Sequence, residues 1–291
     1  MKGISKTLTR PTLIVATSLL VAATAFAQTQ QQPQQQQPQQ QQNPSNKPAG
    51  EVTPLTLDSA PPPVNAEEDA AIKAFRDVKV NDSAKKDQLG VEFLQKYPQS
   101  RYRAEIYSWQ VKSYRSQNQI DKMEEAADKE LALTPDDAQT LAIVGSTLPR
   151  AMNASTPDPQ KRLAKSEEMC KKALDIVPTL QKPDTLTDEV FNQAKAWTMA
   201  MAYSGLGVVD YRRGKFADAI PNFQQSVKLS PQPDPVDYYL LGVCNEKTSH
   251  FDDAVEAFTK CSEIQGPIQA TCKQSIEEAK KLAATQLSAP K

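Results

Sequence analysis

The stretch YSGLGVVDYRRGKFADAIPNF, residues 203–223, is answered 35 residues later by YYLLGVCNEKTSHFDDAVEAF, residues 238–258. Gly207, Phe216, Ala219 and Phe223 recur in register as Gly242, Phe251, Ala254 and Phe258. A fixed period of this size marks an array of supersecondary units that bury a core by stacking on their neighbours. Gly207 and Ala219 are small where two helices of one hairpin must cross closely, and Phe216 and Phe223 fill the space between hairpins. In the second copy Phe251, Ala254, Val255, Phe258 and Cys261 follow the spacing of one buried helix face. Pro231, in the run Pro231-Gln-Pro-Asp-Pro235, stops the first copy where the chain must turn.

Working outward from that pair, helix follows helix from about residue 66 to 286, with Gly and Pro mainly at helix ends. Residues 101–135 read as a hairpin with Tyr107, Trp109 and Tyr114 on its first helix, Met123 and Ala127 on its second, and Pro135 closing it. Residues 66–98 read similarly, through Ile72, Phe75, Leu89, Phe93 and Leu94 to Tyr97-Pro98; a full repeat and a capping hairpin both fit. Residues 136–178 form a unit whose turn is widened by the Pro-, Asn- and Ser-rich run from Pro149 to Pro159. A long helix is expected after Thr187, reaching about Arg213, so the last two hairpins occupy 187–231 and 235–266. Ile268, Cys272, Ile276, Ala279 and Leu282 then lie on one stripe, the pattern of a polar-backed capping helix over 267–286. A disordered tail, 287–291, is expected beyond it.

Residues 200–266 resemble two tandem tetratricopeptide repeats. They match that family's small residue late in the first helix (Gly207, Gly242), its aromatic before the second (Phe216, Phe251) and its Ala-x-x-x-Phe (Ala219 to Phe223, Ala254 to Phe258). The closing Pro is present at Pro231, whereas the next unit has Gly266-Pro267. The run Phe93-Leu-Gln-Lys-Tyr-Pro-Gln-Ser-Arg-Tyr102 is similar to repeats of bacterial envelope tetratricopeptide proteins. The resemblance implies an all-α fold, an α–α superhelix of about five hairpins with a C-terminal cap. It also implies a concave groove lined by the first helix of each hairpin. Carried over position by position, the groove residues are Lys112 and Arg115, then Ser204, Val208, Tyr211 and Arg212, then Tyr239, Val243, Glu246 and Lys247. The Lys and Asn set with which some members clamp chaperone tails is absent, so a chaperone C-terminus is not the implied ligand.

The N-terminus carries Lys2, Lys6 and Arg10, an apolar run from Leu13 to Ala23, and Ala25-Phe26-Ala27. Those are the parts of a secretory signal peptide, with cleavage expected after Ala27. The run is too short for a membrane span, which needs about 20 apolar residues. With 34 basic and 35 acidic residues the chain has a net charge of −1, and loss of three basic residues takes it to −4. No basic block is left to neutralise phosphates, so a nucleic-acid partner is not expected. Twelve of residues 28–42 are Gln, and the segment to Asn65 stays polar and Pro-rich, as in a disordered tether.

Chemistry-bearing constellations are sparse. The one histidine, His250, falls in a turn, and neither clustered Cys nor a Ser/His/Asp set is available. No enzyme activity, cofactor or metal is expected. In an exported protein four cysteines permit disulfides. Cys261 and Cys272 flank the Gly266-Pro267 turn and are expected to bridge, stapling the cap, while Cys170 and Cys244 read as helix-packing residues. The function expected is a periplasmic or secreted scaffold holding a protein or peptide segment. A self-associating envelope protein without a separate client is the other reading.

Overall fold

The structure is a computed structural model describing residues 65–79 and 82–288. The signal peptide (1–27), nearly all of the tether (28–65) and the end of the tail lie outside the described residues. Within them the fold is all-α, a superhelix of five hairpins and a final helix. The hairpins are α1 (Ala66–Asp77) with α2 (Ser83–Lys96), α3 (Arg103–Ser116) with α4 (Ile120–Leu133), α5 (Ala138–Ala151) with α6 (Pro159–Ile176), α7 (Asp188–Arg212) with α8 (Phe216–Leu229), and α9 (Pro235–Lys247) with α10 (Phe251–Glu263). Helix α11, Gln269–Ser288, packs on α10. It runs two residues past its expected end, because good helix formers continue and no proline intervenes before Pro290.

Three hairpins turn in the same way. Asn118, Gly214 and Ser249 each adopt a left-handed conformation (φ 56°, 75° and 65°) just after a first helix. The next amide in each case donates to the carbonyl five residues back: Gln119 to Tyr114 at 2.8 Å, Lys215 to Asp210 at 2.9 Å, His250 to Asn245 at 2.8 Å. This closure satisfies carbonyls that a helix end would leave without donors. Asn118 lies 96 residues before Gly214 and Ser249 lies 35 after it. The turns therefore place the second, fourth and fifth hairpins in one register, which makes Lys112, Val208 and Val243 equivalent positions.

Packing inside each hairpin follows from side-chain size. A carbon added at Gly207 would meet the Phe223 ring at 2.8 Å, and one at Gly242 would meet Phe258 at 2.5 Å. The second hairpin reverses the sizes: Val111 stands where Gly207 does, and Met123 and Ala127 where Ala219 and Phe223 do, all of them buried. In the third hairpin everything at the crossing is small. A carbon added at Gly145 would lie 2.5 Å from the Cys170 sulfur, and one at Gly205 would lie 2.5 Å from that sulfur and 3.0 Å from the Gly145 carbonyl oxygen. Three helices, α5, α6 and α7, thus meet at one sulfur atom. Helix α5 is drawn so far inward that residues 138–149 are all buried. Its sequence, AQTLAIVGSTLPRA, has no charge before Arg150, as a helix surrounded on every side requires.

Replacing Gly205 by Ala is expected to overpack this crossing and lower stability by about 1–3 kcal/mol, read as a fall in melting temperature. Combined with Cys170→Ala, the loss should be smaller than the sum of the two single losses. Strict additivity would show that the sulfur does not set the crossing distance.

Candidate functional site

The inner, first-helix side of the superhelix is where the groove residues were expected, and the structure divides them into separate groups. Ser204 and Val208 are buried and unavailable to a partner, a correction to their expected role. First helices stack directly on one another here, so these positions face the neighbouring helix. Val208 packs with Leu241 of α9 and with Ala219 and Phe223 of α8. The Ser204 hydroxyl donates to Asp237 at 3.0 Å. Tyr211 sets its ring edge to face on Phe216, 5.7 Å between centroids. Arg212 donates to the Met152 carbonyl at 2.8 Å, closing the carboxyl end of α5, where a cation complements the helix dipole.

Tyr239 and Val243 are half-buried. Tyr239 stacks at a tilt on Phe258, 5.7 Å between centroids, and both residues pack with Ile276 and Ala279 of α11 or with Phe258 beneath it. The final helix occupies the place a further first helix would take, and so covers part of each. Burial pushes the Tyr239 hydroxyl's pKa up, with Glu246 and Glu278 adding to the shift. Glu246 is half-buried in the same seam, and only Lys247 is well exposed. Beyond this seam, the structure joins Cys261 and Cys272 as a disulfide with Cα atoms 5.9 Å apart. Cys170 and Cys244 are free and buried, and burial pushes each thiol up to about 12, out of nucleophilic range.

A polar network that the sequence reading did not find lies at the centre. Arg150, at the end of α5, pairs with Asp237 of α9 and donates to Ser204 of α7 at 2.5 Å. Asp237 also accepts from Ser226 of α8 at 2.7 Å, and a second Arg150 nitrogen reaches Asp234 at 3.4 Å. Four helices are tied through one carboxylate whose side chain is 3% exposed. Burial opposes the Arg150 charge, yet the two aspartates outweigh it and raise its pKa. Arg150 stands 62 residues before Arg212, as Gly145 does before Gly207. That spacing was the available signal, obscured by the widened turn between α5 and α6.

Lys112 and Arg115 remain, side by side on α3 one helical turn apart. Neither side chain makes a hydrogen bond or an ion pair within the described residues. Lys112 is half-buried; loss of hydration lowers its pKa, Asp137 and Glu130 oppose that, and Lys86 adds to it. Arg115 is open to solvent, yet enough protein crowds it that lost hydration also lowers its pKa. Arg150 pushes in the same direction and Asp234, the residue capping α9, pushes back. The curl of the array has thus brought the amino end of α9 within electrostatic reach of α3. Beside Lys112, Glu130 of α4 is 1% exposed. Its Oε1 accepts from Thr134 at 2.5 Å and its Oε2 is buried without a partner. Burial pushes its pKa up to about 7, Asp137 adding to the effect.

Among the described residues no group of three or more His, Cys, Asp or Glu could hold a metal ion, and no helix is long and apolar enough to cross a membrane. No protein-family model and no curated protein matches the chain. Among solved structures it is similar to PilW, a widely conserved type IV pilus biogenesis factor, at 16% identity and a TM-score of 0.48, over 77% of this chain and 96% of that one. It is also similar to a thermophilic TPR protein of Thermus thermophilus, at 15% identity and a TM-score of 0.43, over 72% of this chain and 95% of that one.

The charges divide the two arginines by their effect on stability. Arg150→Ala leaves Asp237 buried without its cation and is expected to cost roughly 3 kcal/mol, whereas Arg115→Ala should change stability by no more than about 0.5 kcal/mol. Equal losses in denaturant titrations would contradict this division. For Glu130 the folded pKa lies above the ordinary carboxylate value of 4.5. Folding then takes up a proton, so stability falls as pH rises from about 4.5 to about 7 and is level above it, a total on the order of 3 kcal/mol. Glu130→Gln should flatten that fall and raise the melting temperature at pH 8; parallel curves for the two proteins would refute it.

Proposed function

We propose that this chain is a non-catalytic scaffold, exported from the cytoplasm, that holds a segment of a partner protein on the inner face of its superhelix. The observation that carries this reading is the pair Lys112 and Arg115. Charged groups deprived of part of their hydration lower stability unless something compensates them. Elsewhere in this protein the crowded cations are compensated: Arg150 by two aspartates, Arg212 by a helix end, Arg162 and Lys165 by Glu124. Lys112, half-buried with no partner for its ammonium, and the solvent-open Arg115 beside it offer two charges on the inner face to a partner supplied from outside. Export is supported by the basic, apolar and Ala-x-Ala segments of residues 1–27, and by a cysteine pair placed to bridge, which suits an oxidising compartment.

In-cell cross-linking of the tagged chain tests the scaffold reading, against a Lys112→Ser/Arg115→Ser double variant with unchanged melting temperature. The expected result is a specific protein cross-linked to α3 in the parent and lost in the variant. Identical partners for both, or recovery of the chain alone, would sink the client reading. Export is checked separately by mass spectrometry of the protein from fractionated cells. It predicts a mature start at Gln28 and a Cys261–Cys272 cystine; an intact N-terminus with free thiols would refute export.

A further inference from the structure

We infer that the segment held at Lys112 and Arg115 is an extended acidic stretch of the partner, presenting two side-chain carboxylates two residues apart. The inference rests on the scaffold reading above and adds the chemistry of the ligand. Lys86, Lys112 and Arg115 bring three cations to the neighbouring faces of α2 and α3, and Lys86 is close enough to Lys112 to add to the lowering of its pKa. The Lys86 ammonium is held over the rings of Phe75 and Trp109, at 5.0 and 4.5 Å from their centroids.

The carboxylates near these cations are already committed. Asp87 accepts from Trp109 at 2.8 Å, Ser113 at 2.7 Å and Gln117 at 3.0 Å. Asp137 caps α5 by accepting from the Thr140 amide at 2.7 Å. Asp234 caps α9 and reaches Arg150, and Glu130 is buried and bonded to Thr134. None of them is within ion-pair distance of Lys112 or Arg115. The Lys112 ammonium and the Arg115 guanidinium therefore keep their donors open on the inner face, with no carboxylate of the described residues in contact with them.

Geometry selects the form of the ligand. Residues three apart on a helix have Cβ atoms about 5–6 Å apart. Side chains two residues apart on an extended strand lie on one face about 6.5–7 Å apart, a span that long Lys and Arg stems can match. Arg115 would take its carboxylate through two parallel N–H donors, and Lys112 would act as a compact point charge. A neutral segment would leave both cations uncompensated, and a basic one would be repelled.

Fluorescence anisotropy with the intact protein tests the inference. The probe is a labelled Glu-Ser-Glu-Ser-Glu peptide capped at both ends, so that only side-chain carboxylates are offered. The capped Gln analogue, the capped Lys analogue and a neutral peptide with a free C-terminal carboxylate serve as comparisons. The expected result is binding of the capped Glu peptide alone, weakened by salt, about tenfold weaker for Arg115→Ala and partly restored by Arg115→Lys. Equal binding of the Gln peptide, preference for the free C-terminal carboxylate, or stronger displacement by a DNA oligonucleotide than by free Glu peptide would each overturn it. Unchanged affinity in Arg115→Ala would do the same. If cross-linking recovers a client through α3 whose bound segment is not acidic, the scaffold reading stands and this inference falls.

Discussion

Where α5, α6 and α7 cross, Gly145, Cys170 and Gly205 leave no room for another carbon atom. The rest of the architecture depends on that contact. It lets α5 sink between its neighbours until its first twelve residues are buried, and an uncharged helix is what such a position tolerates. It also draws α7 against α5, stacking first helix on first helix through the middle of the array. The carboxyl end of α5 then emerges beside the amino end of α9, and Arg150 meets Asp237 there. One carboxylate joined to an arginine and two serines locks four helices into a fixed curl.

That curl sorts the inner-face cations into two kinds. Arg150 and Arg212 are structural: one saturates a buried aspartate, and the other closes the carbonyls at the end of α5. Lys112, half-buried, and Arg115, open to solvent, have side chains with no such partner. The difference is visible only as a network. Position by position, Lys112 is equivalent to the buried Val208 and Arg115 to Tyr211, so the repeat itself does not say which of its copies stays open.

How much could be read along the chain depended on how each hairpin fills its crossing. The last two use Gly with Phe, Gly207 against Phe223 and Gly242 against Phe258, and large differences in size at a fixed period are legible. The second hairpin solves the same packing problem with Val111, Met123 and Ala127. Its volume is equivalent but its letters are exchanged, so its boundaries were legible while its register waited for the left-handed turn at Asn118. In the third, three small residues and a widened turn hid the register, and Arg150 was missed with it. The last hairpin adds one further fact: the final helix packs as a sixth first helix and half-buries Tyr239 and Val243.

By itself the sequence determined the all-α class, the hairpin period, the long helix through Arg212, the capping stripe from Ile268 to Ala279 (Leu282, expected on it, is exposed) and the facing of Cys261 and Cys272. Those properties are local, set by helix periodicity and by residue size at a repeated contact. Tertiary structure alone decided which inner positions are open, which charge meets which, and that Glu130 is held near neutrality. Those properties depend on residues far apart in sequence, Arg150 with Asp237 or Arg115 with Asp234, being brought together by the accumulated rotation between hairpins. A small change in one crossing alters every later distance, and no local pattern encodes that sum.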